Sequence, residues 1–291
     1  MKGIILAGGS GTRLYPITRA VNKQLLPIYN KPMIYYPLSV LMLSGIREVL
    51  IISNRQSLPL YRSLFGDGSQ LGIEISYAEQ AHPNGLPEAF LLCPEYIQNQ
   101  NVCLILGDNI IFGTGLSLRL QKLVREHTGA TIFAYPVRNP EKYGVVELDV
   151  NNTVLSIEEK PDNPKTNYAI PGLYFFDKNV VRYSQELLPS ARGELEITDL
   201  IKRYWRENKL HVEILNRGHA WLDMGSHETL LQASMFVEAI ENRQGMMIGC
   251  LEEIAYRMHY IDLERLETLG KTINNDYGKY ILDLVKEFTE K

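Results

Sequence analysis

Ile4, Ile5 and Leu6 form a short run in which neighbouring positions are all apolar, and the run stops at a cluster of glycines. A strand that is apolar at both parities is buried on both faces, as in parallel sheets, and this run is too short for a helix. Arg47 to Ser53 (REVLIIS) and Val102 to Leu106 (VCLIL) repeat the pattern, while Ile73 to Gln80 (IEISYAEQ) alternates more clearly. Between Pro32 and Gly45, MIYYPLSVLMLS is apolar all round and reads as a buried helix, with Pro37 near its first turn, where a missing N–H costs least. Pro59 to Phe65, closed by Gly66 and Gly68, reads as a second helix. Leu116 to Thr128 reads as an amphipathic third, with Leu116, Leu120, Leu123 and Val124 on one face. Strands and helices in alternation predict a doubly wound, mostly parallel α/β sheet with right-handed crossovers.

From Ala130 the period shortens. ATIFAYPV is a strand, and VVELDV and TVLSIEE alternate on either side of Asn151 and Asn152, which predicts an antiparallel hairpin laid as a lid over the sheet edge. Strict alternation would put Glu159 and Lys160, at its end, on opposite faces. NYAIPGLYFFD is a strand interrupted at Pro171 and Gly172, with Ile170 and Tyr174 placed to line a pocket. SARGELEITDL sets Arg192 before a helix with an acidic first turn, and HAWLDMGSHE carries a run ending at Asp223 before a helix that starts near His227. The remainder is helical by period and holds no catalytic cluster. We therefore expect a domain over 1–240, with a part at about 130–225 inserted on the same sheet, and a helical extension over 241–291. Met246 to Ile261 is rich in Met, Ile, Tyr and Cys, which suits a subunit interface and equally a core.

Composition narrows the class. The 291 residues are 45% apolar and 22% charged, ordinary values for a globular protein, and the length allows one large domain or two smaller ones. A net charge of -4, a pI near 5.9 and the lack of any basic run argue against nucleic acid as a partner. The opening apolar run ends after Ala7 and is followed by Arg13, unlike a signal peptide, and no segment approaches the roughly 20 apolar residues that cross a bilayer. A cytoplasmic location without a membrane partner follows as the expectation. Cys93, Cys103 and Cys250 lack metal-ligand spacing and read as free thiols.

The chemistry begins at the first glycines. Gly8, Gly9, Ser10, Gly11 and Thr12 make a loop whose backbone N–H groups can converge on phosphate oxygens, and Arg13 adds a forked, permanent cation. Lys23 adds a second cation, so the stretch predicts a polyphosphate site at the carboxyl edge of the sheet. A Walker A loop is excluded because Thr12 and Arg13 follow Gly11, and a dinucleotide fingerprint fails at Leu14. Asp108, after VCLILG, suits a magnesium ligand or a helix N-cap. Gln80 and Gly85 open either an approach to a flat ligand or a plain turn. Glu159 with Lys160, and Arg192 with Glu194 or Glu196, also fit solvated surface pairs.

LAGGSGTRLYPIT and KQLLPIYNKPMIYYPLSVLM, followed by QAHPNGLPEAF, LILGDNIIFG, YGVVELD, SIEEKP, AIPGLYFFD, GELEITDL and RGHAWLDMGSHE, resemble the sugar-nucleotide pyrophosphorylases over nearly the whole chain, and within them most closely the glucose-1-phosphate thymidylyltransferases. The resemblance implies a Rossmann-like fold of the nucleotide-diphospho-sugar transferase type. It also implies transfer of a nucleotidyl group from dTTP to glucose 1-phosphate with Mg2+, by direct attack without a covalent intermediate. It assigns Arg13, Lys23, Asp108 and Asp223 to catalysis, the two aspartates to the metal, and the loop from Gly8 to Arg13 with Lys23, Gln24, Gln80, Gly85 and Asp108 to the nucleotide. Asn109, Tyr143, Gly144, Glu159, Lys160, Ile170, Tyr174 and Arg192 fall to the sugar phosphate. Pro87 and Glu88 depart from the smaller or different residues expected there, which bears on the shape of the base pocket. A homotetramer is implied as well. A uridylyltransferase would share almost all of these residues, whereas a catalytically inactive regulatory homologue is expected to have lost one.

Overall fold

Ile4 and Ile5 point to opposite sides of one sheet, as their shared apolar character requires. In the computed structural model, which describes residues 1–9 and 11–290, Ile4, Leu50 and Leu104 join the core on one face while Ile5, Ile51 and Ile105 join the core on the other. Ser10 and Lys291 lie outside the described residues. Twelve strands matter here. They are β1 (Lys2–Leu6), β2 (Glu48–Ser53), β3 (Glu74–Glu79), β4 (Val102–Leu106), β5 (Asn109–Gly113), β6 (Ala130–Pro136), β7 (Gly144–Leu148), β8 (Val154–Glu159), β9 (Tyr168–Ala169), β10 (Leu173–Phe176), β11 (Leu210–Ile214) and β12 (His219–Asp223).

Among the described residues, ten of these form one sheet in the order β8-β7-β9-β6-β10-β4-β1-β2-β3, with β11 paired to β6. The stretch from β3 to β4 is parallel, with helices Tyr35–Leu43 and Leu58–Phe65 in its crossovers. Beyond β4 each pairing along that path is antiparallel. The mostly parallel part of the sheet is thus the part that carries the glycine loop.

Two local expectations change. The segment after Asp108 is strand β5, not a capped helical turn, and it pairs antiparallel with β12 so that Asn109 opposes Asp223. The hairpin β7–β8 closes through a longer loop than two asparagines: the Asp149 carboxylate accepts from the backbone N–H groups of Asn151 and Thr153, both at 2.8 Å, and Asn152 turns with φ 63°. The hairpin's strands are the outer strands of the sheet itself, and its end at Glu159 and Lys160 lies against the cleft.

Helix His227–Gln244 starts at an N-cap, Ser226, and runs unbroken through position 240. The helix thus crosses the boundary expected between 240 and 241. Buried Lys31 anchors it, with its Nζ 2.8 Å from Glu241 Oε1, and Glu241 also accepts from Asn30 and from the Ile248 N–H. Burial pushes the Lys31 pKa down, and Glu241 opposes that shift. No helix among the described residues is long and apolar enough to cross a membrane.

Candidate functional site

The ends of β1 and β4 place the first two groups together. Leu6 is in register with Leu106, and the Gly107 N–H donates to the Leu6 carbonyl at 3.0 Å, so the glycine loop and Asp108 leave the sheet side by side. Gly9 (φ 98°) and Gly11 (φ 59°) turn the loop, which Thr18 ties down by donating to the Gly11 carbonyl at 2.7 Å. Asn22 then accepts from the Gln24 N–H and from the Tyr61 phenol, fixing the short turn Lys23–Leu25. That turn sends Lys23 beneath the loop to Asp108, Nζ to Oδ2 2.5 Å, with only 10% of the lysine side chain exposed.

Two adjoining cavities open above this point. The first, about 340 Å³, is lined by Gly8, Gly9, Arg13, Gln24, Gln80, Gly85, Asp108, Arg192 and residues 194–197. Gln24 and Gln80 are buried, and Gln24 Oε1 has no hydrogen-bond partner, which leaves it for a ligand. Gly85 (φ 112°) packs directly on Leu195, where a side chain would collide with backbone. Gly11 and Thr12 shape the loop but are not among the lining residues, and neither is Lys23.

The second cavity, about 260 Å³, is lined by Asn109, Tyr143, Gly144, Ile170, Tyr174, Trp221 and Asp223. It shares Arg13, Asp108, Glu159 and Lys160 with the first. Pairing of β5 with β12 carries Asp223 to Asp108 across a separation of 115 positions (223 minus 108). Tyr143 donates to Asp223 Oδ1 at 2.7 Å, and burial, reinforced by that bond, raises its pKa and keeps the phenol protonated. Gly225 leaves room for two charges, since a Cβ there would lie 3.0 Å from Asp223 Oδ2 and 3.4 Å from Arg13 Nη1.

Asn109 is buried and spends its amide on the protein: Nδ2 donates to Asp108 Oδ1 at 3.0 Å, while Oδ1 accepts from Trp221 Nε1 at 2.6 Å and from the Gly172 N–H. Glu159 and Lys160 share one side of the cleft, contrary to strict alternation, because the strand ends at Glu159 and Lys160 turns back with φ 43°. Their charges lie 3.4 Å apart. Arg192 lines the first cavity and not the second, gripped by Glu196 at 2.6 Å and 3.6 Å from Glu159, which lines both.

Sequence reasoning missed Trp221, Leu195 and Thr198. Trp221 stands two positions before Asp223 in HAWLD, and its ring meets Tyr143 edge-on at 5.0 Å. Thr198 lines the second cavity with a buried hydroxyl that has no partner. Asp108 and Asp223 are the cleft's candidate metal ligands, and among the described residues no group of three or more His, Cys, Asp or Glu could hold an ion unaided. Two carboxylates that leave most of the coordination shell to phosphate and water fit magnesium.

The model of the nucleotidyl transferase family matches residues 2–240. A glucose-1-phosphate thymidylyltransferase of Neisseria meningitidis is 54% identical over 288 residues, covering 99% of this chain and 100% of that protein. One from Mycolicibacterium smegmatis is 51% identical over 98% of this chain and 99% of its own. A solved Bacillus anthracis structure assigned to the same enzyme, in complex with a sucrose, superposes with a TM-score of 0.75 at 38% identity, covering 81% of this chain and 94% of that one. A UDP-glucose pyrophosphorylase bound to UDP-glucose superposes at 0.72 and 23% identity, which speaks for the fold alone.

Proposed function

This chain belongs to the nucleotidyl transferase family, and from that premise we propose that it makes dTDP-glucose and pyrophosphate from dTTP and glucose 1-phosphate. One observation carries the proposal. Two cavities of different lining, one bounded by a glycine loop with Gln80 and Gly85 and the other by Tyr143, Tyr174 and Trp221, meet at Arg13 and Asp108. A nucleotide in the first and a sugar phosphate in the second would bring phosphate to phosphate at that junction.

The attacking oxygen is already anionic, so no side-chain base is needed and no covalent intermediate arises. What the chain must do is align the two phosphates and offset their charge. Arg13, at the junction, would stabilise charge on the transferred and departing phosphates. Lys160, half exposed and lining both cavities, would turn from Glu159 to the sugar phosphate. Lys23 is committed to Asp108 and would act near the α-phosphate through that carboxylate. Magnesium held by Asp108 and Asp223 would neutralise charge as pyrophosphate leaves. Asn109 and Tyr143 hold those two carboxylates in place.

Two exposed apolar side chains on helix His227–Gln244, Leu231 and Met235, support self-association, in keeping with a homotetramer. Three free cysteines suit a reducing, cytoplasmic setting. The reaction is tested by pyrophosphate release from dTTP with magnesium and glucose 1-phosphate, alongside a nucleotide panel. Release should require the sugar phosphate. UTP, lacking one methyl worth about 1 to 3 kcal/mol, should be slower. ATP or GTP performing as well as dTTP would overturn the assignment.

A further inference from the structure

Gln80 carries an amide whose two ends read opposite hydrogen-bonding edges, and the structure fixes which end faces which way. Its Nε2 lies 2.6 Å from Glu88 Oε2, at the start of helix Glu88–Leu92. The same carboxylate takes the Asn84 side-chain amide at 2.7 Å on Oε1 and the Asn84 backbone N–H at 3.3 Å on Oε2. All three partners are N–H groups, and an ionised carboxylate only accepts. Gln80 must therefore turn its NH2 toward Glu88. Its Oε1 is held against the glycine loop, 2.6 Å from where a Cβ on Gly8 would stand, in the wall of the first cavity.

We propose that Glu88 is a positioning residue for base choice: by locking the Gln80 amide it presents a carbonyl acceptor to the cavity and so selects bases with an imide N–H over those with a ring-nitrogen acceptor. Thymine and uracil carry that N–H between two carbonyls. Cytosine presents a bare nitrogen beside an amino group, which suits the opposite orientation of the amide. The inference deepens the proposed reaction and rests on it for the identity of the nucleotide pocket. Glutamine at 88 would remove the lock without changing the shape, because it can donate to Gln80 Oε1 as readily as accept from Nε2.

The test compares dTTP, UTP and dCTP with wild type, Glu88→Gln and Glu88→Asp, by kcat/KM with glucose 1-phosphate and by equilibrium binding of each nucleotide alone. In Glu88→Gln the dTTP-to-dCTP ratio should fall about tenfold or more, while the dTTP-to-UTP ratio stays as it was. Glu88→Asp, still an acceptor only, should keep most of the wild-type preference. A parallel loss for all three nucleotides, or a dCTP ratio unmoved in both assays, overturns the role of Glu88. If binding ratios shift as described but no enzyme form releases pyrophosphate, the positioning role stands and the proposed reaction falls.

Discussion

On the glycine-loop side of the cleft, Gly8, Gly9, Arg13, Gln80 and Asp108 arrive from short stretches at or just beyond the ends of parallel strands. Around the second cavity, the residues proposed for the sugar arrive from segments brought together by antiparallel pairing. Gly8, Gly9 and Arg13 lie within six positions, whereas Asn109, Tyr143, Glu159 and Trp221 are drawn from four strands or their flanks. Each half also holds its carboxylate differently. Asp108 is paired with the ammonium of nearly buried Lys23, and Asp223 with the neutral phenol of Tyr143. Charge on the first half is balanced inside the protein, while the second keeps its carboxylate unbalanced except by Arg13 nearby.

The largest effects should come from the two carboxylates, and they should part company on stability. Asp108→Asn and Asp223→Asn are each expected to lower pyrophosphate release about a hundredfold or more. Asp108→Asn also leaves Lys23 without its partner, at a cost of about 2 kcal/mol or more. Asp223→Asn leaves a phenol that can still donate to the new amide, so its urea midpoint should move by less than about 1 kcal/mol equivalent. Equal destabilisation by both would break the comparison.

A smaller effect separates the cations. Lys160→Ala should raise the KM for glucose 1-phosphate about tenfold and that for dTTP less, whereas Arg192→Ala, on the nucleotide wall and held by Glu196, should act mainly on dTTP. A Lys160 effect confined to dTTP would reverse the assignment. Smallest should be Tyr143→Phe, which removes one hydrogen bond from Asp223 and should cost about three- to tenfold in kcat, with little change in the urea midpoint.

The parity of Ile4, Ile5, Leu104 and Ile105 was enough to call a sheet buried on both faces, because burial is written residue by residue in apolar character. The glycine loop, Arg13 and the position of Asp108 at a strand end were legible for the same reason: each is a local conformational or chemical preference carried by adjacent residues. Glu159 and Lys160 show where that reasoning stops, since alternation separates them and a single left-handed residue reunites them. For Arg192 the sequence leaves Glu194 and Glu196 equally open as partners, and neither the choice of Glu196 nor the cavity it walls is visible there. The tertiary structure alone decided that β5 pairs with β12, that Lys23 spends its charge on Asp108, and that Glu88 dictates the face Gln80 shows. Backbone hydrogen bonds are identical at every register, so the sequence names the groups that can pair. Which of them meet across a hundred residues is settled only when the whole core has packed.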